Sequence, residues 1–484
     1  MGAKIFSFLF HNRNVRQSVA KNTFWLAAGQ VASRLLRAAL VIAAARTLGP
    51  SHWGPFAYAM TLVAFLTTFS DAGVSAIITR ESVNDEQKGK AYFANGIIVK
   101  CLLLGVSALI ILAGRNFITN IEEVRRLLPL AVFILIFDSL RNTGFAVFRS
   151  RQAMQWEALN EVLTNGIISL LGFYLLSLRP DASSLAIAYI GGTAAGAALL
   201  AVMLRRYLAS LSFTLDIATA KELLRSSLPF ALANFLGAIM INTDLLMVGW
   251  LRSPAELGLY SAAQKPVQLL YGFGAIFASS LFPVLSRMAR ESKAAFTSTL
   301  ERSVAASLLA ALPVAAGGII LGGQLIKLFF GNDYLEATRS FQILMMTVIV
   351  VFPSIIVSNA ILAHKEEKKF VIFSLLGAAG NILFNFALIP IWGIAGCSLA
   401  TLLTQLIANG FIWKQAGSIT PFSILPRISK SLIGTGIASA VIWTLKVGGL
   451  NPIANICTGA AVYGIFLIIS KDELVQSLFL RKKA

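Results

Sequence analysis

Residues Gly49-Pro50-Ser51-His52-Trp53-Gly54-Pro55-Phe56-Ala57-Tyr58-Ala59 form a Gly/Pro-marked turn that runs straight into an apolar segment. Residues Ser253-Pro254-Ala255-Glu256-Leu257-Gly258-Leu259-Tyr260-Ser261-Ala262-Ala263 repeat the pattern. The two align without a gap, with Pro50 on Pro254, Gly54 on Gly258, Phe56 on Tyr260 and Ala59 on Ala263. Long apolar runs flank both turns, residues 22–45 and 55–78 around the first, 228–250 and 258–284 around the second. A helix that crosses a bilayer needs about 20 predominantly apolar residues. Each copy therefore reads as two membrane spans joined by a short turn.

Working outward, further apolar runs fall near 91–113, 127–148, 158–178, 185–204, 303–329, 340–362, 371–389, 394–413, 431–448 and 453–470. The total is about fourteen spans. The repeated turns follow the first and seventh spans and so face the same side. That makes a parallel duplication of six spans about an axis along the membrane normal, an arrangement common among transporters. The expected fold is an all-α polytopic membrane protein. Residues 1–210 would form one six-helix lobe, 211–418 a second, and 419–484 two additional helices with a basic tail.

Composition excludes the soluble alternatives. Of 484 residues, 57% are hydrophobic and 13% charged, and mean hydropathy is +0.75. Soluble domains average about 45–50% apolar and about 25% charged residues. The 41 basic and 22 acidic residues leave a net charge of +19. Membrane insertion places Lys and Arg in cytoplasmic loops. With the N-terminus inside, about 27 of the 41 basic residues fall in cytoplasmic segments, about 8 outside and about 6 within spans. Both termini are then cytoplasmic, and nucleic acid is not needed to explain the charge. Cys101, Cys397 and Cys457 lie far apart in apolar runs, with no metal spacing or disulfide framework. No removable signal peptide is expected at the N-terminus.

The order of motifs resembles the Wzx-type polysaccharide and O-antigen flippases of the multidrug/oligosaccharidyl-lipid/polysaccharide exporter superfamily. Asn22-Thr23-Phe24-Trp25, Arg46-Thr47-Leu48-Gly49-Pro50 and Phe69-Ser70-Asp71-Ala72-Gly73 carry it in the first half. Leu228-Pro229-Phe230, Thr243-Asp244-Leu245-Leu246-Met247-Val248-Gly249 and Pro390-Ile391-Trp392-Gly393 carry it in the second. The resemblance implies a secondary transporter that moves a polyprenyl-diphosphate-linked oligosaccharide across a bacterial cytoplasmic membrane by alternating access, for surface polysaccharide biosynthesis. It implies no cofactor. The implied partners are the lipid-linked glycan, membrane lipids and pathway proteins such as a glycan polymerase, with the transporter itself a monomer. A cation-coupled multidrug antiporter and a peptidoglycan-precursor flippase stand as alternatives within the same superfamily.

Charges inside spans narrow the site. A charged side chain at a helix centre costs about 2.5–3.5 kcal/mol on insertion scales, so it needs a partner, water or a function. Gln30, Arg34 and Arg37 share one face of the first span. Guanidinium forks match phosphate oxygens, so an anionic head group is one reading, and static pairing with Asp71 or Asp138 is the other. Lys265, which precedes Pro266, and Lys100, with Asn95 nearby, are further cationic candidates. The in-span acids are taken as Asp71, Asp138 and Asp244. Asp138 and Arg141, spaced i, i+3, read as a structural pair. Asp244 and Asp71 read as ion-coupling or lobe-pairing groups. Asn381 and Asn385 could hydrogen-bond sugars or hold helices together. No phosphate-binding G-x-x-x-x-G-K-[ST] loop and no carboxylate-x-carboxylate glycosyltransferase pattern occurs, so the chain is expected to be a transporter and no enzyme.

Overall fold

The computed structural model describes residues 15–474 and 476, so the tail Arg481-Lys482-Lys483 lies outside the described residues. Helices account for every regular element among the described residues. They are α1 (Val15–Asp71), α2 (Val74–Asn84), α3 (Glu86–Ile118), α4 (Glu122–Ser150), α5 (Met154–Leu178), α6 (Ala182–Met203), the single turn α7 (Arg205–Leu208) and α8 (Ile217–Leu251). They continue as α9 (Pro254–Glu291), α10 (Lys293–Phe330), a 3₁₀ helix (Asn332–Ala337), α11 (Thr338–Ala363), α12 (Glu367–Ile419), α13 (Leu425–Val447) and α14 (Pro452–Ile469).

Twelve helices among the described residues are long and apolar enough to cross a membrane. Two of them hold two spans each. At 57 and 53 residues, α1 and α12 would run about 80 Å if straight, well beyond the roughly 30 Å hydrocarbon core. Each breaks at a glycine, Gly49 at φ 68° and Gly393 at φ 57°. The left-handed φ at Gly49 is open to glycine at little cost, and Pro50 then restarts the helix at its first turn. The fourteen expected spans are thus present. The second span, expected as one run over 55–78, is interrupted at Ala72–Gly73, where α1 ends and α2 begins.

The chain divides into two compact units, the first ending at Gly258 and the second beginning at Leu259. The division expected at residue 210 follows the sequence duplication, whereas the compact unit also takes in α8. Phe235 of α8 packs on Phe65 and Phe69 of α1 at ring-centroid distances of 5.5 and 6.3 Å. Leu223 joins a buried cluster with Val74, Ile77, Phe93, Phe145 and Leu200. The start of α8 is fixed by Asp216, whose side chain accepts the backbone N–H groups of Ala218 and Thr219. The Thr219 hydroxyl and these N–H groups stabilise the carboxylate and lower its pKa.

The repeated turns meet inside the first unit. A Cβ on Gly54 would collide with the carbonyl oxygen of Pro254, and a Cβ on Gly258 with the carbonyl oxygen of Pro50. The contact is reciprocal between positions that the repeat makes equivalent. Gly192 and Gly196 of α6 likewise meet Ile168 and Thr164 of α5, so the G-x-x-x-G spacing serves packing within the unit.

In the second unit, Leu300, Val304 and Leu308 of α10 pack with Ile356, Val357 and Ile361 of α11 and Ile412 of α12. The Tyr463 hydroxyl of α14 bonds Ser431 of α13 at 2.7 Å and the Leu309 carbonyl of α10 at 2.8 Å. Large apolar side chains stay exposed along the helices, among them Leu102, Leu109, Phe117, Leu170 and Ile469. An apolar exterior over an interior that combines apolar clusters with buried small and polar residues is the distribution a lipid-facing bundle requires.

Overpacking a tight backbone contact costs about 1–3 kcal/mol. Gly54→Val and Gly258→Val are expected to lower the melting temperature of the detergent-purified protein. Gly105→Val, where a Cβ meets nothing within 4 Å, serves as the control and is expected to leave it unchanged.

Candidate functional site

Polar groups inside the first unit converge on α1, α4 and α5. Arg141 of α4 is 3% exposed and pairs with Asp138, one turn earlier, at 2.8 Å. Its Nε donates to Asn160 Oδ1 of α5 at 3.1 Å, and Asn160 Nδ2 donates to the Gly196 carbonyl of α6 at 2.9 Å. Glu161 of α5 lies 3.3 Å from Arg141 Nη2, an ion-pair contact without hydrogen-bond alignment. Four residues on, Asn165 donates from Nδ2 to the Glu161 carbonyl and carboxylate at 2.8 and 3.2 Å. Asn165 Oδ1 then accepts both Nε and Nη2 of Arg37, at 3.1 and 2.9 Å. One continuous chain of contacts links Asp138, Arg141, Glu161, Asn165 and Arg37.

A second pair lies beside it. Lys100 of α3, 1% exposed, places its ammonium 2.7 Å from Asp71 Oδ1 at the end of α1. The Ser75 hydroxyl of α2 also bonds Asp71. Asn95 was expected to support Lys100. It instead accepts the backbone N–H of Asp216 and donates to the Ala91 carbonyl. Towards the ends of α4 and α5, Arg149 grips Glu157 through Nε and Nη2, at 2.9 and 2.5 Å.

Asp71 and Asp138, the acids expected to compete for Arg34 and Arg37, are thus engaged with Lys100 and Arg141. Gln30 and Arg37 are exposed and Arg34 half-buried. Among the described residues Arg34 makes no hydrogen bond or ion pair, and Arg37 meets only the neutral amide oxygen of Asn165. Asp244 is buried in α8 and engaged.

In the second unit, Lys265 approaches Gln268 Oε1 at 3.5 Å. Asn381 and Asn385 are buried, with Asn385 Nδ2 donating to Asn381 Oδ1 at 2.9 Å along their own helix. A cavity of about 440 Å³ is lined by Glu301, Arg302, Ser423, Arg427, Lys430 and Asp472. There Arg427 is neutralised by Glu301 at 2.8 Å. No group of three or more candidate metal ligands occurs among the described residues.

The acids taken from the sequence were incomplete. Glu161 lies inside the run read as 158–178, and Glu157 one residue before it. Together with Asn160, Thr164, Asn165 and Ser169 they recur at spacings of three and four along α5. That periodicity marks a polar helix face, and it is the signal that would have found them.

The family described as "Polysaccharide biosynthesis protein" matches residues 19–289, more than half of the chain. The chain belongs to that family. Among the proteins similar to this chain, the Staphylococcus aureus capsular polysaccharide biosynthesis protein CapF is 21% identical over 400 residues, 81% of this chain and 97% of CapF. The Haloferax volcanii probable flippase AglR is 21% identical over 484 residues, covering 93% and 96% of the two chains. The fold matches that of the lipid II flippase MurJ in its inward closed conformation, with TM-score 0.79 and 16% identity over 93% of this chain and 99% of that one. A resemblance to the polysaccharide flippases, read from the order of short motifs, therefore agrees with membership of this family.

Truncating Arg141 would strand two carboxylates with no cation between them. Removing the buried partner of a fully buried ion pair costs about 3–5 kcal/mol, and the partial exposure of Asp138 and Glu161 places this loss below that range. Arg141→Ala is expected to lower membrane accumulation and melting temperature far more than Arg126→Ala, which removes an exposed i, i+4 pair with Glu122.

Proposed function

We propose that this chain is a secondary transporter that flips a lipid-linked, anionic oligosaccharide across a cytoplasmic membrane, and that Arg34 and Arg37 receive the anionic part of the cargo. One observation carries the reading: neither guanidinium is ion-paired among the described residues, although the same unit holds the carboxylates of Asp71, Asp138, Glu157 and Glu161, each turned to another cation. A guanidinium kept in an apolar span without an acid partner costs free energy that an arriving phosphate returns. Relatives named for capsular polysaccharide biosynthesis and flipping support a glycan on a lipid carrier as the substrate class. A diphosphate linkage supplies the charge that two neighbouring arginines match.

Lys265 adds positive potential in the second half. Lys100 does not meet the cargo in this conformation, because its ammonium is buried on Asp71. Asp244 and Asp71 are the groups through which an ion would couple to transport. Asn381 and Asn385, bonded to each other, hold their helix locally, and Gln30 is left as the exposed amide beside the arginines. The protein works as a monomer with both termini cytoplasmic and hands its glycan to enzymes of the outer leaflet such as a polymerase.

Replacing Arg34 and Arg37 together with Gln, at native membrane expression, is expected to reduce glycan export by about tenfold or more. Lipid-linked glycan should accumulate on the cytoplasmic leaflet, as it should on deletion of the gene. Normal export by the double variant would remove both residues from the cargo site. For the orientation, Asp181→Cys is expected to react with an impermeant maleimide in intact cells. Ser212→Cys should react only after permeabilisation, each in a background lacking Cys101, Cys397 and Cys457.

A further inference from the structure

We infer that Asn165 is the specificity-determining neighbour of Arg37: it fixes the guanidinium with a neutral oxygen in place of a carboxylate, so that one edge is held and the other edge faces the cargo. The inference rests on the anion-binding reading of Arg34 and Arg37. It begins with the donor inventory of arginine. Five N–H groups lie in one plane, and two edges of the fork each present a parallel pair. Asn165 Oδ1 takes Nε and Nη2, one complete edge. The other edge, Nη1 with the second hydrogen of Nη2, meets no protein acceptor among the described residues. That edge is the one a phosphate takes bidentately.

The residue type at 165 follows from what stands on both sides of it. Arg37 offers only donors. Behind Asn165, the Glu161 carbonyl and carboxylate offer only acceptors. A side chain between them must accept on one end and donate on the other. This also fixes the amide orientation, Oδ1 towards Arg37 and Nδ2 towards Glu161. Aspartate at this position would face Glu161 with a second negative charge and would cancel that of Arg37. Alanine would leave Arg37 free to turn. Glu161 is itself steered by Arg141, which Asp138 and Asn160 hold in place. Asn165 thus ends a relay of Asp138, Arg141 and Glu161 that carries one net negative charge; by standing between Glu161 and Arg37 it keeps that carboxylate off the guanidinium, and it is a positioning residue: it touches Arg37 and not the cargo.

The test separates orientation from charge. Geranylgeranyl diphosphate, a polyprenyl diphosphate without a glycan, is titrated into the detergent-purified full chain, with the neutral alcohol geranylgeraniol as control. Arg37→Gln establishes the baseline. Asn165→Ala is expected to weaken diphosphate binding by about tenfold, the scale of a hydrogen bond to a charged group, with alcohol binding unchanged. The double variant Asn165→Asp/Glu161→Gln keeps the total charge and lets the new amide at 161 donate to the carboxylate at 165, while the main-chain carbonyl of residue 161 gives up its side-chain donor and keeps its place in the helix. It moves the carboxylate from behind position 165 onto Arg37. It is expected to weaken diphosphate binding as much as Arg37→Gln does, and to leave the melting temperature near native. In the Arg37→Gln background, Asn165→Ala should have no further effect.

Diphosphate binding within about twofold of native by Asn165→Ala and the double variant, with Arg37→Gln clearly weakened, would overturn the role of Asn165. Unchanged binding by Arg37→Gln would instead overturn the anion site itself. Should Asn165→Ala fail to accumulate, the double variant decides the matter alone.

Discussion

The Arg141 guanidinium lies between two carboxylates, 2.8 Å from Asp138 and 3.3 Å from Glu161, with the Asn160 amide on its Nε. The arrangement of the first unit depends on that meeting. A charge in an apolar helix is tolerated only where the fold supplies its complement, and Arg141 needs groups from its own helix and from α5. Asn160 passes the connection to α6 through the Gly196 carbonyl. Gly196 leaves no Cβ where Arg141 Nε runs, since one would lie 2.9 Å from that atom. Asn165 passes it to α1 through Arg37. Four helices are thereby set in register by directional contacts, which a lipid-facing bundle needs because burial of apolar surface gains little when the surroundings are themselves apolar.

The same constraint explains why buried apolar clusters are joined in the interior by small and polar residues, while further large apolar side chains point outward. Ser70 and Ser139 meet at 3.2 Å across α1 and α4, and Ser169 donates to the Leu36 carbonyl of α1 at 3.3 Å. Short side chains allow backbones to approach closely, and their hydroxyls find acceptors on the neighbouring helix or on their own carbonyls. The Gly54–Gly258 contact takes this to its limit, with main chain against main chain at the two repeated turns.

How much of this was legible in the chain depends on the range of each interaction. Span positions are set by local partitioning into lipid, so apolar runs and Gly/Pro punctuation located all fourteen, and the kink at Gly49 stood in plain view before Pro50. The break at Ala72–Gly73 was hidden because it falls inside a continuous apolar run. Asp138 with Arg141 could be read from helical spacing. Lys100 with Asp71 joins residues 29 apart in sequence, and Arg37 with Asn165 residues 128 apart. Nothing local specifies such pairings, so Asn95 was assigned to Lys100 when its carbonyl oxygen caps the chain at Asp216. Glu161 was missed for a different reason: one acid in a hydrophobic run is easily overlooked unless the polar face it belongs to is followed along the whole helix.

Counting charges is a weaker argument than following their partners. The sequence sets about six basic residues against three acids within spans, an excess of positive charge. Glu157 and Glu161 erase that difference in the first unit: Arg34, Arg37, Lys100, Arg141 and Arg149 stand against Asp71, Asp138, Asp244, Glu157 and Glu161. A balanced count would predict one acid for each base. The structure instead places two carboxylates on Arg141 and gives Arg37 an uncharged oxygen. Electrostatics alone favours sharing the acids evenly, so the uneven distribution has to be imposed by geometry, and Asn165 is the side chain that imposes it by standing between Glu161 and Arg37. Uncancelled positive charge at Arg37 is therefore a property of the wiring rather than of the composition, and exchanging the acid and the amide between positions 161 and 165 would offset it with every count unaltered.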